Sequence, residues 1–245
     1  MKKVKLTKLV LSKSEMNKLG PQEKKRYIMF ACMVRDLNLL QKCLLFVENE
    51  NSTDKPCVSA KTTIRFFFLK TFISKIHEMW TFLSKNKILQ GSAKFSKELK
   101  EQCDEIEKFF SDKKVKDIFS FIRDKFGFHY EYQDDVDGMI EDASKHLTEF
   151  EIWLSDDSAN EIFAASNAVI MEVIFAQMKK VGFTGDMESL LRQLCELAMN
   201  GARLFQRFSK LYLGEIFPVK WERREVMEIE APLYSQVKLP LIVTK

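Results

Sequence analysis

Apolar residues recur every three or four positions through most of this chain, the period of helices that bury one face. Residues 21–48 carry Tyr27, Phe30, Val34, Leu37, Leu40, Leu44 and Val47 in that register, and Pro21 suits the first turn of a helix. A polar loop over 49–59, containing Pro56, precedes a second long helix at about 60–85, with Ile64, Phe67, Phe68, Thr71, Phe72, Ile76, Met79 and Leu83 in step. Its Phe66-Phe67-Phe68 triple covers more than one face, which predicts a central place in a bundle.

Gly91 and Ser92 punctuate the chain before a more charged helix, about 93–110, that turns Leu99, Cys103, Ile106 and Phe110 inward. Ser111-Asp112 offers an N-cap for the helix after it. Residues 133–138 read as a turn and capping segment, followed by a short amphipathic helix holding His146 with Met139, Leu147, Phe150 and Trp153. Two strong helices follow, about 160–180 and 186–213, separated by Gly182 and Gly185. The ends differ. Residues 3–11 alternate Val4 and Leu6 with lysines, and the tail from Val226 on is extended in character, either pairing with the first strand or docking across a neighbouring chain. The expected fold is all-α: one domain over 1–245, a bundle of six or seven helices with its helical core at about 21–214, and short extended N- and C-terminal segments.

Composition agrees. Among 245 residues there are only 8 glycines and 5 prolines, too few for a many-turned β fold, and the 46% hydrophobic and 30% charged fractions are those of a soluble globular chain. The net charge of +4 permits a nucleic-acid partner without requiring one. Five scattered cysteines, with no C-x-x-C pair, suit a reducing cytoplasm. Lys5 and Lys8 interrupt what would be the apolar part of a signal peptide. The most apolar run, 64–73, is broken by Arg65 and Lys70 and is too short to span a bilayer, so no membrane partner is expected.

The chemistry concentrates in Phe121-Ile122-Arg123-Asp124-Lys125-Phe126-Gly127-Phe128-His129-Tyr130. Apolar neighbours on all sides predict a largely buried segment, where an arginine is costly unless it is paired or faces a wet cleft. On a regular helix, six steps leave Arg123 and His129 roughly 120° apart, so the two share a site only if a bulge or helix end near Gly127 brings them together. The bland reading is a core helix whose arginine pairs with a carboxylate and whose histidine meets a backbone carbonyl.

This stretch resembles the Arg-x(4–6)-His motif of the HEPN superfamily, all-α proteins that include many metal-independent ribonucleases of prokaryotic defence and toxin systems. Arg123 matches the family arginine, Asp124 the polar residue that usually follows it, and His129 the family histidine. The likeness covers about these seven positions. A nucleotidyltransferase-associated subgroup carries His-x-Tyr, whereas the order here is His129-Tyr130-Glu131-Tyr132. The resemblance implies an endoribonuclease, with His129 in proton transfer, Arg123 stabilising the phosphoryl centre and Asp124 as orienting neighbour. It further implies a cleft where two protomers meet, 2′,3′-cyclic phosphate ends, RNA as substrate and a cognate antitoxin or partner protein in a toxin or phage-defence system. The alternative is a non-catalytic helical scaffold that binds RNA or protein.

Other candidates carry less. Asp36 would orient His129 or neutralise Arg123, unless it lies on a solvated face. Lys113, Lys114 and Lys116 occupy the end of the motif helix where the dipole disfavours cations, so they suit a phosphate or simply a solvated face. His77 lacks a helical acid at the right spacing and reads as a surface or core residue. No metal is implied: a calcium loop at 133–144 would need acids at Gln133 and Ser144, and nothing near His146 supplies a second zinc ligand. No cofactor is implied, since there is no Gly-rich phosphate loop and no Ser/His/Asp nucleophile signature. The aromatic ring of Phe121, Phe126, Phe128 and Tyr130 would bury surface against a second copy, or equally make one more core contact.

Overall fold

The computed structural model describes residues 2–49, 51–90, 95–127, 134–146, 151–154, 161–222, 225–237 and 241. Apart from a two-stranded ribbon, its regular structure is helical, and most helices start on a recognisable signal. Ser12 and Glu15 form a reciprocal capping box at the head of α1 (Lys13–Lys18). Pro21 occupies the first turn of α2 (Pro21–Glu48), where a missing N–H costs nothing. Pro56 does the same for α3 (Lys55–Lys85). Side chains of Ser96, Asp112 and Asp186 accept backbone N–H groups at the heads of α4 (Lys97–Ser111), α5 (Lys113–Ile122) and α8 (Met187–Ile216). Between the last two lie α6 (Asp134–Ser144) and α7 (Ala164–Lys180), and α9 (Pro218–Glu222) follows α8.

Two helices end in the same motif with different residues. At the end of α7, Gly182 sits at φ 93°, and N–H groups of Gly182 and Phe183 donate to the carbonyls of Lys179 and Met178. At the end of α3 the equivalent bonds run from Lys87 to Ser84 and from Ile88 to Leu83, with Lys87 itself at φ 55°. Left-handed backbone is free for glycine and unfavourable for lysine.

Helix α3 is the hub. Residues from Phe66 through Phe72, Ile73, Ile76 and Met79 to Leu83 are buried, with α2, α5, α7 and α8 packed around them. The core is rich in phenylalanine: Phe30, Phe72, Phe110, Phe119, Phe175, Phe205 and Phe208 are essentially inaccessible. Each such ring is worth roughly 1.5–3 kcal/mol relative to exposure. Their edges and faces interlock, as where Phe110 stacks on Trp80 at 4.8 Å and meets Phe119 edge-on at 6.0 Å.

The two extended ends pair with each other. Strand β1 (Lys2–Lys8) runs antiparallel to β2 (Glu225–Ala231), with Val4 opposite Ile229 and Leu6 opposite Met227. Of the two readings for the tail, pairing with the first strand is the one seen, and Asn49 Nδ2 then ties the chain beyond it by donating to the Val237 carbonyl at 2.7 Å. The lysines of β1 face glutamates of β2, as in Lys8–Glu225 at 3.3 Å and Lys5–Glu228 at 3.7 Å.

The bundle is all-α as expected, and local details differ. Helix α3 begins five residues early because Pro56 opens it instead of breaking the loop before it. The two short helices, α1 and α9, had too little periodicity to be read. Residues 134–138 are helical, within α6, and His146 lies just beyond that helix, where its N–H donates to the Ala143 carbonyl. Trp153 is extended and bridges Ile162 through a pair of 2.9 Å backbone bonds, so it belongs to no helix.

One irregularity positions the motif. After α5 the backbone widens into a π-helical turn, Arg123–Gly127, which lies against α3. A β-carbon on Gly127 would collide with the Ser74 hydroxyl and come within 2.8 Å of Ser74 Cβ, so only glycine lets the turn lie this close. Gly127→Ala is therefore expected to cost about 1–3 kcal/mol, as overpacking does. In a Ser74→Gly background the same change should cost less. Urea denaturation of the four chains of that cycle measures the coupling, and independent effects would mean that the contact is not what limits residue 127.

Candidate functional site

Helix α5 and the π turn after it run antiparallel along α3, and three contacts, one turn apart on α3, define the seam. Gly127 lies over Ser74, Ser120 meets His77, and Lys116 reaches over the ring of Trp80 at 5.9 Å. Along α5 the spacing 116, 120, 123 puts Lys116, Ser120 and Arg123 in one stripe, while Val115, Ile118, Phe119 and Ile122 turn to the core. The stripe is graded in depth: Lys116 and Arg123 are exposed and Ser120 between them is half-buried.

Arg123 stands at the head of the π turn with its side chain 44% exposed, and its Nη1 donates to Asp124 Oδ1 at 2.6 Å. The segment was expected to be largely buried, and at this residue it is not. The apolar residues around Arg123 point to the opposite side of the helix, so the guanidinium meets solvent without crossing the core. Asp124 is its observed partner. Asp36 is engaged elsewhere, with Arg35 at 2.9 Å and Lys75 at 3.9 Å, which leaves it no part in neutralising Arg123. The irregularity near Gly127 that the Arg123–His129 spacing called for is present as the π turn. His129 and Tyr130, together with Phe128, lie outside the described residues. Phe121 and Phe126 pack edge-on against each other at 5.8 Å, and Phe126 is buried in the core.

His77 is the residue the sequence undervalued. It is only 8% exposed, its Nε2 lies 3.0 Å from Ser120 Oγ, and its Nδ1 is buried with no hydrogen-bond partner among the described residues. Burial pushes its pKa down from the ordinary 6.5; the positive charge of Arg123 acts in the same direction and Asp124 opposes it. Protonation would place a charge in the interior and leave Nδ1–H an unmet donor, so the ring is neutral at neutral pH. The arrangement is thus a half-buried hydroxyl bonded to a neutral imidazole and flanked along the helix by two exposed cations. No local pattern announces it, because Ser120 and His77 are 43 positions apart and only helix packing brings them together.

Of the other lysines in the first turn of α5, Lys114 is engaged within the chain. Lys114 donates to the Gly182 carbonyl at 2.9 Å and lies over the Phe183 ring at 5.8 Å, so it ties α5 to the turn between α7 and α8. Among the described residues no group of three His, Cys, Asp or Glu side chains is placed to hold a metal ion, and no helix is long and apolar enough to cross a membrane. Comparison with models of protein families, with curated proteins and with solved structures finds no match to this chain.

The depressed His77 pKa has a consequence for stability. Above the unfolded-state value of 6.5 the ring is neutral in both states. As the pH falls below it, the unfolded chain takes up a proton that the folded chain resists, so stability drops until the folded pKa is passed. Urea midpoints of the wild type should therefore fall between pH 7 and pH 5, and fall less steeply in His77→Gln. Parallel curves for the two chains would remove His77 from the account.

Proposed function

We propose that this chain is a metal-independent endoribonuclease of HEPN type, acting on RNA in a toxin or phage-defence setting. The observation that carries the reading is the exposed Arg123 at the head of a π turn, in one stripe with Lys116 and the Ser120 hydroxyl. RNA is cleaved without a metal when its 2′-hydroxyl attacks the adjacent phosphate, which needs a group titrating near neutrality and a fixed cation at the crowded phosphoryl centre. Arg123 supplies the cation. Asp124 occupies its Nη1 and holds the fork in place, leaving the outer donors for phosphate oxygens. His129 moves the proton, following the resemblance of the motif. A cognate antitoxin or partner protein would act by covering this face.

Single-stranded RNA in excess chelator provides the test. Wild type should cleave it, and Arg123→Ala or His129→Ala should each lose on the order of 10²-fold or more in rate. Equal rates in all three chains, or no cleavage by wild type, would favour the second reading, a non-catalytic helical scaffold for RNA or protein. The closed Arg123–Asp124 pair, already satisfied without a ligand, is the observation on that side.

The proposed working unit is a homodimer with the two motif segments near its twofold axis. In-line transfer gains from a proton carrier on both the attacking and the leaving oxygen, and a second copy supplies another His129. Since Phe121 and Phe126 are spent within the chain, the apolar contact for a mate falls to Phe128 and Tyr130. Mixing inactive Arg123→Ala and His129→Ala chains should restore part of the activity if each site draws on both copies. A fully active monomer by light scattering at micromolar concentration would end the idea.

A further inference from the structure

At one end of the bundle, away from the α3–α5 seam in sequence, the end of α1 and the head of α2 face the ends of α3 and α8 across an open cavity of about 410 Å³. That volume falls in the range of pockets that take one small molecule. Its lining divides by chemistry. Arg26 from α2 and Lys87 from the end of α3 are the cations, Phe95 and the buried Tyr212 are the aromatics, meeting edge to face with ring centres 6.2 Å apart, and Glu23 and Glu215 are the acids.

The polar groups are unevenly engaged. Each acid accepts a backbone N–H: Glu23 that of Gly20 at 3.3 Å, Glu215 that of Ser96 at 2.9 Å. These bonds hold the carboxylates in place while leaving acceptor capacity over. The cations are the opposite case. Arg26 makes one long bond, from Nε to Asn86 Oδ1 at 3.4 Å, and among the described residues neither Arg26 nor Lys87 meets a carboxylate within 4 Å.

Lys87 adds a separate observation. It holds the left-handed position that closes the helix, φ 55°, where glycine would be less strained and where the equivalent turn after α7 has Gly182. The backbone motif needs no side chain there. What lysine adds at that position is a positive charge at the cavity.

We propose that this cavity is a binding site for a nucleoside monophosphate. Arg26 and Lys87 take the phosphate, the part-exposed Phe95 ring, braced edge to face by Tyr212, takes the flat face of the base, and the carboxylates of Glu23 and Glu215 accept from its ring or exocyclic N–H groups. Paired cations suit the anion, and an aromatic face accepts any base by stacking. The proposal does not depend on the ribonuclease reading, because it shares no residue with Lys116, Ser120, Arg123 or His129.

Isothermal titration calorimetry of the full chain against AMP, GMP, CMP and UMP tests it, with inorganic phosphate and the matching nucleosides as separate arms. At least one monophosphate should bind with Kd of roughly 1 mM or tighter, and more tightly than either phosphate or its nucleoside alone. Lys87→Gly and Arg26→Gln should each weaken that binding about 10-fold or more. Lys87→Gly should do so with an unchanged or higher Tm, since it relieves the backbone, which separates loss of the site from loss of the fold. Arg123→Ala should bind as wild type does. The proposal is overturned if no monophosphate binds, if phosphate alone binds as tightly, or if Arg123→Ala abolishes binding while Lys87→Gly leaves it intact.

Discussion

A helix that is apolar over most of its circumference has to be surrounded, and the placing of α2, α5, α7 and α8 follows from that requirement on α3. Its buried residues run from Ala60 to Leu83, and α2, α5, α7 and α8 each cover a sector. Close approach is possible where side chains are small: a β-carbon on Gly201 of α8 would stand 3.0 Å from Ile76 Cγ2. The same enclosure carries polar groups inward. Lys70, Ser74 and His77 recur along α3 and are all nearly inaccessible. Ser74 returns its hydroxyl to the Lys70 carbonyl at 2.8 Å, whereas His77 needs a partner from another helix and meets Ser120.

That need links architecture to the candidate chemistry. A buried imidazole with only one of its nitrogens bonded is a cost that a purely structural core avoids by placing leucine or phenylalanine there. Its position fixes which face of α5 carries Ser120, and the helical repeat then sets Lys116 and Arg123 on the same stripe. The π turn follows at once. It widens the backbone over Arg123–Gly127 and lays that turn against α3. The exposed arginine, the half-buried hydroxyl and the neutral ring are thus consequences of a single packed seam.

The two ends of the chain show a weaker kind of cohesion. The ribbon of β1 and β2 is exposed on both faces, with Val4, Leu6, Met227 and Ile229 each about two-fifths exposed. Two strands alone have little core to bury. Its register instead matches a basic strand to an acidic one, and surface pairs of that kind contribute modestly and are screened by salt. The ribbon fastens the termini together while the bundle carries the stability.

Much of this was determined by the sequence alone. The apolar period located α2, α4, α7 and α8, and the pair Ser111-Asp112 marked the start of α5, because caps and amphipathic stripes are local properties of the chain. Pro56 misled for a local reason too, since proline is as much at home in the first turn of a helix as in a loop. The motif pointed to Arg123 and to an irregularity near Gly127, and both are features of the structure. Only the tertiary structure decided that Arg123 faces solvent, that Asp124 and not Asp36 holds it, and that His77 is bound to Ser120. Those facts depend on which face of one helix meets another, across dozens of residues. A one-dimensional period names the buried stripe of a helix but not its neighbour, so the pairings that create a site appear only when the helices are packed.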